Sequence, residues 1–166
     1  MKVEKLIRVD LDVQGITLLS IEEYKKHKRH ITPIDCVWWL RSPGCRSWLA
    51  AYVGSSGIVN SNGDDEDRDL IAVRPALQVA NPKSASLKIG DKFCLFGYEW
   101  TVISKELALC DEVVGKHAFR EDWQAEDAND YEQSDVKRFL EEWLDRKRAG
   151  RTDLEVQGIT LLSAEE

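Results

Sequence analysis

DLDVQGITLLSIEE (Asp10–Glu23) returns near the other end of the chain as DLEVQGITLLSAEE (Asp153–Glu166). Twelve of the fourteen positions are identical; the changes are Asp12 against Glu155 and Ile21 against Ala164. Chance does not produce such a match in 166 residues. Val13–Leu19 reads as a strand running into a turn. Ser20 then opens a helix, because SIEE is a capping box: the Ser20 hydroxyl accepts from the Glu23 N–H while Glu23 reaches back to the Ser20 N–H. One domain has one place for such a segment. The first copy continues into a short helix to about His27, and its basic end, KKHKRH (Lys25–His30), suits the negative pole of the helix dipole better than a nucleic acid. No helix follows the second copy within these residues. The first copy is therefore expected in the native strand position, with the second as a surplus tail. The repeat also allows two equivalent strands of one pseudo-symmetric sheet.

Working outward, 166 residues make one domain with room for a real core. Thirty acidic residues against 23 basic ones give a net charge of -7, which repels phosphate backbones and argues against nucleic acid as a partner. No apolar run approaches the roughly 20 residues that cross a membrane, so no membrane insertion is expected. The start, MKVEKLIRVDLDV, is charged throughout and lacks the apolar stretch of a signal peptide. Cys36, Cys45, Cys94 and Cys110 form no C-x-x-C pair; they read as reduced, buried thiols rather than a zinc site.

Val37–Leu40 and Trp48–Val53 read as strands on either side of a break at Ser42, Pro43 and Gly44, and Ile58–Asn60 as a short third. Asn62–Gly63 reads as a tight turn and DDEDRD (64–69) as an acidic loop. Leu70–Val79 is a strand that Pro75 places at an edge or bulge. Asn81–Ser86 is a connector. Phe93, Leu95, Trp100 and Val102 alternate as a hairpin around Gly97, and ELALCDEVV (106–114) adds a third strand. Residues 115–131 are charged and without period, and read as loop. Ser134 caps one clear helix: Val136, Phe139, Leu140, Trp143 and Leu144 share a stripe, and Gly150 stops it.

WWLRSPG (38–44), AAYVGSSGIVNSNG (50–63) and VRPAL (73–77) together resemble an uncharacterised bacterial domain family found in Firmicutes and their phages, often beside adhesin-like modules. The family's opening hairpin is matched by Gly90, Asp91, Phe93, Phe96, Gly97, Trp100 and Val102, and its helix by Ser134 to Leu144. The order here is rotated: the family's closing half lies at 10–79 and its opening half at 88–144. The resemblance thus implies a single circularly permuted domain over 1–150, with 153–166 repeating 10–23. The layout is also similar to the C-type-lectin-like fold of formylglycine-generating enzymes and of diversity-generating-retroelement variable proteins. That implies an α+β fold: a mixed, largely antiparallel sheet, one or two helices and long irregular loops. It also implies a ligand face before the last strand, here Ser55 to Asp69. With neither a signal peptide nor a membrane span read in the sequence, a cytoplasmic or phage-associated setting is the default expectation.

Arg41 and Arg74 sit in the two signature motifs and are expected to hold loops by forking to backbone carbonyls; recognition of a carboxylate or sugar is the other use of such a pair. Trp38 and Trp39 are adjacent, so in a strand they face opposite ways. Trp38 is assigned to the core and Trp39 to the surface as a stacking platform. Trp48, Tyr52, Ser55, Asn60, Asn62, Asp64, Asp65 and Arg68 complete the candidate ligand set. Asn60, Asn62, Asp64 and Asp65 offer hard oxygens to calcium, but the EF-hand spacing and the Glu-Pro-Asn and Gln-Pro-Asp triplets of calcium-dependent lectins are absent. No metal site or cofactor is assigned. The chain has no G-x-S-x-G, P-loop or H-E-x-x-H, and Cys36 and Cys45 match no catalytic pair, so it is read as no enzyme. The expected function is a non-catalytic module that binds a protein or carbohydrate surface. The alternative is a structural module that forms homo-oligomers by swapping the repeated strand.

Overall fold

The computed structural model describes residues 5–7, 12–65, 71–80, 88–149 and 159–161, with backbone alone at 5–7, 65 and 159–161. The first half forms β1 (Lys5–Ile7), β2 (Asp12–Thr17), α1 (Ile21–His27), β3 (Trp38–Pro43), β4 (Leu49–Val53), β5 (Val59–Asp65), β6 (Ala72–Val73) and β7 (Ala76–Ala80). The second half forms β8 (Lys92–Leu95), β9 (Tyr98–Val102), β10 (Leu107–Cys110), β11 (Gly115–Lys116), α2 (Asp135–Ala149) and β12 (Ile159–Leu161). One five-stranded sheet has the order β2-β7-β10-β9-β8 and the other β11-β6-β3-β4-β5, while β1 and β12 make a separate antiparallel pair. Among the described residues only the β3–β6 pairing is parallel. Among the described residues the fold is thus mixed α+β, with two helices and two mostly antiparallel sheets.

The first copy of the repeat supplies β2, the edge strand of its sheet, paired with β7 from Asp12↔Ala80 to Thr17↔Ala76. Leu18 and Leu19 follow it into the core with no exposure. The capping box then closes as its sequence requires: Glu23 N donates to Ser20 Oγ at 3.1 Å, and Ser20 N donates to Glu23 Oε2 at 2.9 Å. In α2, Ser134 Oγ accepts from Lys137 N at 3.1 Å. The apolar stripe buries Val136, Leu140, Trp143 and Leu144. Trp143 meets Phe96, Tyr98 and Trp100, with ring centroids 6.1, 5.7 and 6.4 Å away. Phe96 and Gly97 make the β8–β9 turn with φ of 56° and 82°. A phenylalanine rarely takes such a φ, and here its burial against Trp143 offsets the backbone cost.

The two halves interlock. β7 pairs with β10, β6 pairs with β11, and the end of α2 stands over the start of β2, where Arg148 Nη2 donates to Val13 O at 2.6 Å.

Several sequence expectations are corrected. Trp39 is no surface platform: β3 lies between β6 and β4, with a separate apolar cluster on each face. Trp38 packs edge-on to Tyr24 and Trp39 to Phe119, and both indoles are buried. β3 runs on through Ser42 and Pro43, with its register shifting between Trp39 and Pro43. Asn62–Gly63 is not a turn but a bulge inside β5, which pairs with β4 as far as Leu49↔Asp65. There Gly63 has φ 95°, and a Cβ on it would lie 2.7 Å from Ala50 O. The Leu70–Val79 strand is split at Arg74–Pro75 into β6 and β7, which belong to different sheets, and Leu70 lies outside the described residues. The 115–131 segment contributes β11 and buries Ala118, Phe119 and Ala128. Of the cysteines only Cys110 is buried; Cys36 is half-buried, and Cys45 and Cys94 are exposed. The Asn81–Ser86 connector and Gly150 lie outside the described residues.

Trp39→Ala empties a fully enclosed site and strips His117 O of the indole N–H that reaches it at 2.9 Å. Urea unfolding is expected to show a loss of about 3–5 kcal/mol. A loss under about 1 kcal/mol would return Trp39 to the surface.

Candidate functional site

The β4–β5 hairpin holds most of the candidate residues. Its tip is closed by Gly54 N donating to Ile58 O at 2.9 Å and Gly57 N donating to Gly54 O at 2.8 Å. Ser55 and Ser56 are exposed there, and Ile58 is 68% exposed. The tip is tied to the first helix, because the Tyr24 hydroxyl donates to Gly57 O at 2.7 Å. Midway along, Tyr52 faces Asn60 across the ladder, and Asn60 Nδ2 donates to the Tyr52 hydroxyl at 2.8 Å. The Asn60 side-chain oxygen, Oδ1, accepts from Asn62 N and Gly63 N, at 3.1 and 3.2 Å, and so builds the bulge.

Beyond the bulge, the turn before β4 folds back on β5. Cys45 N donates to Asn62 O at 2.8 Å, and Leu49 N to Arg46 O at 3.0 Å. The Arg46 guanidinium lies 5.4 Å from the ring of Trp48, which is 38% exposed. Asn129 Nδ2 donates to Arg46 O at 3.1 Å from the far half of the chain. Beside it runs an open groove of about 480 Å³, lined by Arg41, Ser42, Pro43, Asn129, Asp130 and Tyr131 among others.

Trp48, Tyr52, Ser55, Asn60, Asn62 and Asp64 therefore share one hairpin and its approach, with Trp48 and Ser55 at opposite ends. Trp39 is not among them. Asp65 is described by backbone alone, as the last residue of β5, and Arg68 lies outside the described residues. Sequence reading misses Arg46, Ile58 and Asn129. Arg46 and Ile58 carry a faint signal, a cation two residues from an aromatic and an apolar residue at a turn; Asn129 carries none, since only folding brings it there. Among the described residues no three His, Cys, Asp or Glu side chains gather to hold a metal.

The signature arginines act on the scaffold. Arg41 forks to Glu23, with Nη1 to Oε2 at 2.5 Å and Nη2 to Oε1 at 2.9 Å, and Nη1 also donates to Leu18 O at 2.8 Å. Arg74 is buried, donating from Nε to Cys110 O at 2.6 Å and from Nη2 to Thr32 O at 2.7 Å. Burial pulls its pKa down from the usual range, and Asp111 opposes the shift. Burial pushes the Cys110 thiol up to about 12 and raises Cys36 as well, so both stay protonated near neutrality.

The chain matches no family model, no curated protein and no solved structure.

Burial pushes the Glu23 carboxyl up, but hydrogen bonds from Arg41 and Ser20 outweigh it and hold the group below its ordinary 4.5. A carboxyl lowered in the folded state stabilises the fold above its unfolded pKa, and that stability is lost as pH falls through the lowered value. The melting temperature is expected to drop below about pH 4.5 more steeply in the parent than in Glu23→Gln. At pH 7, Glu23→Gln costs about 1 kcal/mol, because the pair is partly solvated. Identical acid limbs in thermal melts would refute the coupling.

Proposed function

We propose that this chain is a non-catalytic binding module that engages a protein or glycan surface through the β4–β5 hairpin. The observation that carries the reading is the composition of that rim. Trp48, just before β4, and Ile58, just before β5, stand exposed at opposite ends of a hairpin that also shows Ser55, Ser61 and Asn62, and its strand β5 has no neighbour other than β4 among the described residues. Apolar and aromatic anchors ringed by small amides and hydroxyls suit recognition. Arg46 stacked on Trp48 adds the pair of residue types most enriched at binding hot spots, which favours a protein over a glycan.

The resemblance to the WWLRSPG…VRPAL family supports the same reading, since its C-type-lectin-like layout puts ligands before the final strand. The rotated order is supported by the end of α2 lying at the start of β2, where the family's bridging segment would pass from one to the other.

Trp48→Ala and Ile58→Ser change exposed side chains and should leave the melting temperature within about 2 °C of the parent. Against immobilised bacterial surface proteins and a glycan array, each should weaken whatever binding the parent shows by about tenfold or more. Equal binding by parent and both variants would sink the proposal.

A further inference from the structure

The 166 residues contain two copies of one strand and, among the described residues, one position of this kind beside β7. We propose that this position is bistable: residues 156–166 of the same chain can replace residues 13–23 in it. This goes beyond the binding function and rests on a different part of the molecule.

Apart from Ile21 and the run into α1, what holds the first copy is either a backbone group or a side chain that the second copy shares. Ile16, Leu18 and Leu19 fill the core, and their counterparts are Ile159, Leu161 and Leu162. Gly15 lies so close to Gln78 that a Cβ would come within 2.5 Å of its Oε1, and the second copy has Gly158 there. Arg41 binds Leu18 O through its side chain and Leu19 O through its N–H, at 2.8 and 2.9 Å, contacts blind to sequence. Ser20 and Glu23, which make the cap and the Arg41 fork, recur as Ser163 and Glu166. The two positions that differ matter less: Asp12 is exposed and Ile21 is only partly buried.

Reach favours exchange within one chain. Arg148, in the last turn of α2, already touches Val13 O. Six residues lie between Ala149 and Val156, so seven residue steps span up to about 23 Å. β2 is an edge strand, so replacing it opens one ladder and leaves the rest of the sheet paired. The first copy holds the position by its covalent run into α1 and by Ile21. In that state the second copy's residues 159–161 pair as β12 with β1, next to β8. Swapping between molecules gains nothing further, because each chain brings two strands for one position.

Two measurements on the full chain test this. Leu18→Asp should be rescued by the second copy, and Leu161→Asp should melt like the parent. The double variant should melt at least about 5 °C below Leu18→Asp. If Leu18→Asp and the double variant melt alike, the second copy cannot serve. Independently, Val79 faces Val13 in the ladder, so the pairs Val13→Cys/Val79→Cys and Val156→Cys/Val79→Cys report the two states. In a Cys45→Ser/Cys94→Ser background under mild oxidant, both pairs should cross-link at monomer mass, since oxidation traps even a state of about 1% population. A control that links while the Val156 pair does not, or links only between chains, overturns exchange within the chain.

Discussion

The buried guanidinium of Arg74 is the joint on which both sheets turn. It sits where the chain leaves β6 in one sheet and enters β7 in the other. Its Nε holds the carbonyl of Cys110, the last residue of β10, from which the chain crosses back toward β11. Its Nη2 holds Thr32 O in the segment between α1 and β3, and the guanidinium carbon lies 5.0 Å from the ring of Trp38. A charge this buried is costly unless its donors are used. Here two carbonyls and an aromatic face take it up, and Asp111 lies close enough to favour the charged form. Asp111 is itself held by Lys92 at 2.5 Å and Thr101 at 2.6 Å, and Lys92 also donates to Thr32. One polar network therefore ties both sheet crossings to the first hairpin of the second half.

That arrangement explains which parts of the fold could be read from the sequence. Local signals were legible because their physics is local. The capping box at Ser20, the α2 stripe and the β8–β9–β10 meander each depend on residues within a few positions of one another. Trp39 was not legible. The period of two correctly sends adjacent side chains to opposite faces, but it cannot show that both faces of β3 are covered. Nor could Asn62–Gly63 be told from a hairpin turn. The same backbone freedom serves a bulge, and only the Asn60 side chain, bonding two successive N–H groups, decides between them. Pro75 signals a break in the strand, yet not that its two parts join different sheets.

The candidate site divides in the same way. Trp48, Tyr52, Ser55, Asn60 and Asn62 fall on one hairpin because they are close in sequence and polar or aromatic residues suit a half-exposed edge. Asn129 reaches Arg46 across half the chain, through a segment with no periodicity at all. The roles of Arg41 and Arg74 were legible as chemistry, a fork seeking carbonyls or carboxylates. Their partners Glu23, Leu18, Cys110 and Thr32 required the fold.

The two proposals meet at α1. Tyr24, one residue after the Glu23 of the capping box, packs on Trp38 and holds Gly57 O at the hairpin tip. Exchange of the strands moves Ser20 and Glu23 out of the cap, so it removes the first turn of α1 and loosens the seat of Tyr24. The tip bearing Ser55, Ser56 and Ile58 then loses its tether to the core. Linkage makes such an effect reciprocal: a ligand that binds only the tethered tip must favour the first copy in the β7 position by the same factor. Near-identity of the copies is what keeps that balance within reach of a ligand. Two strands of unrelated sequence would differ by many buried contacts, whereas these differ mainly by Ile21 and by the run into α1.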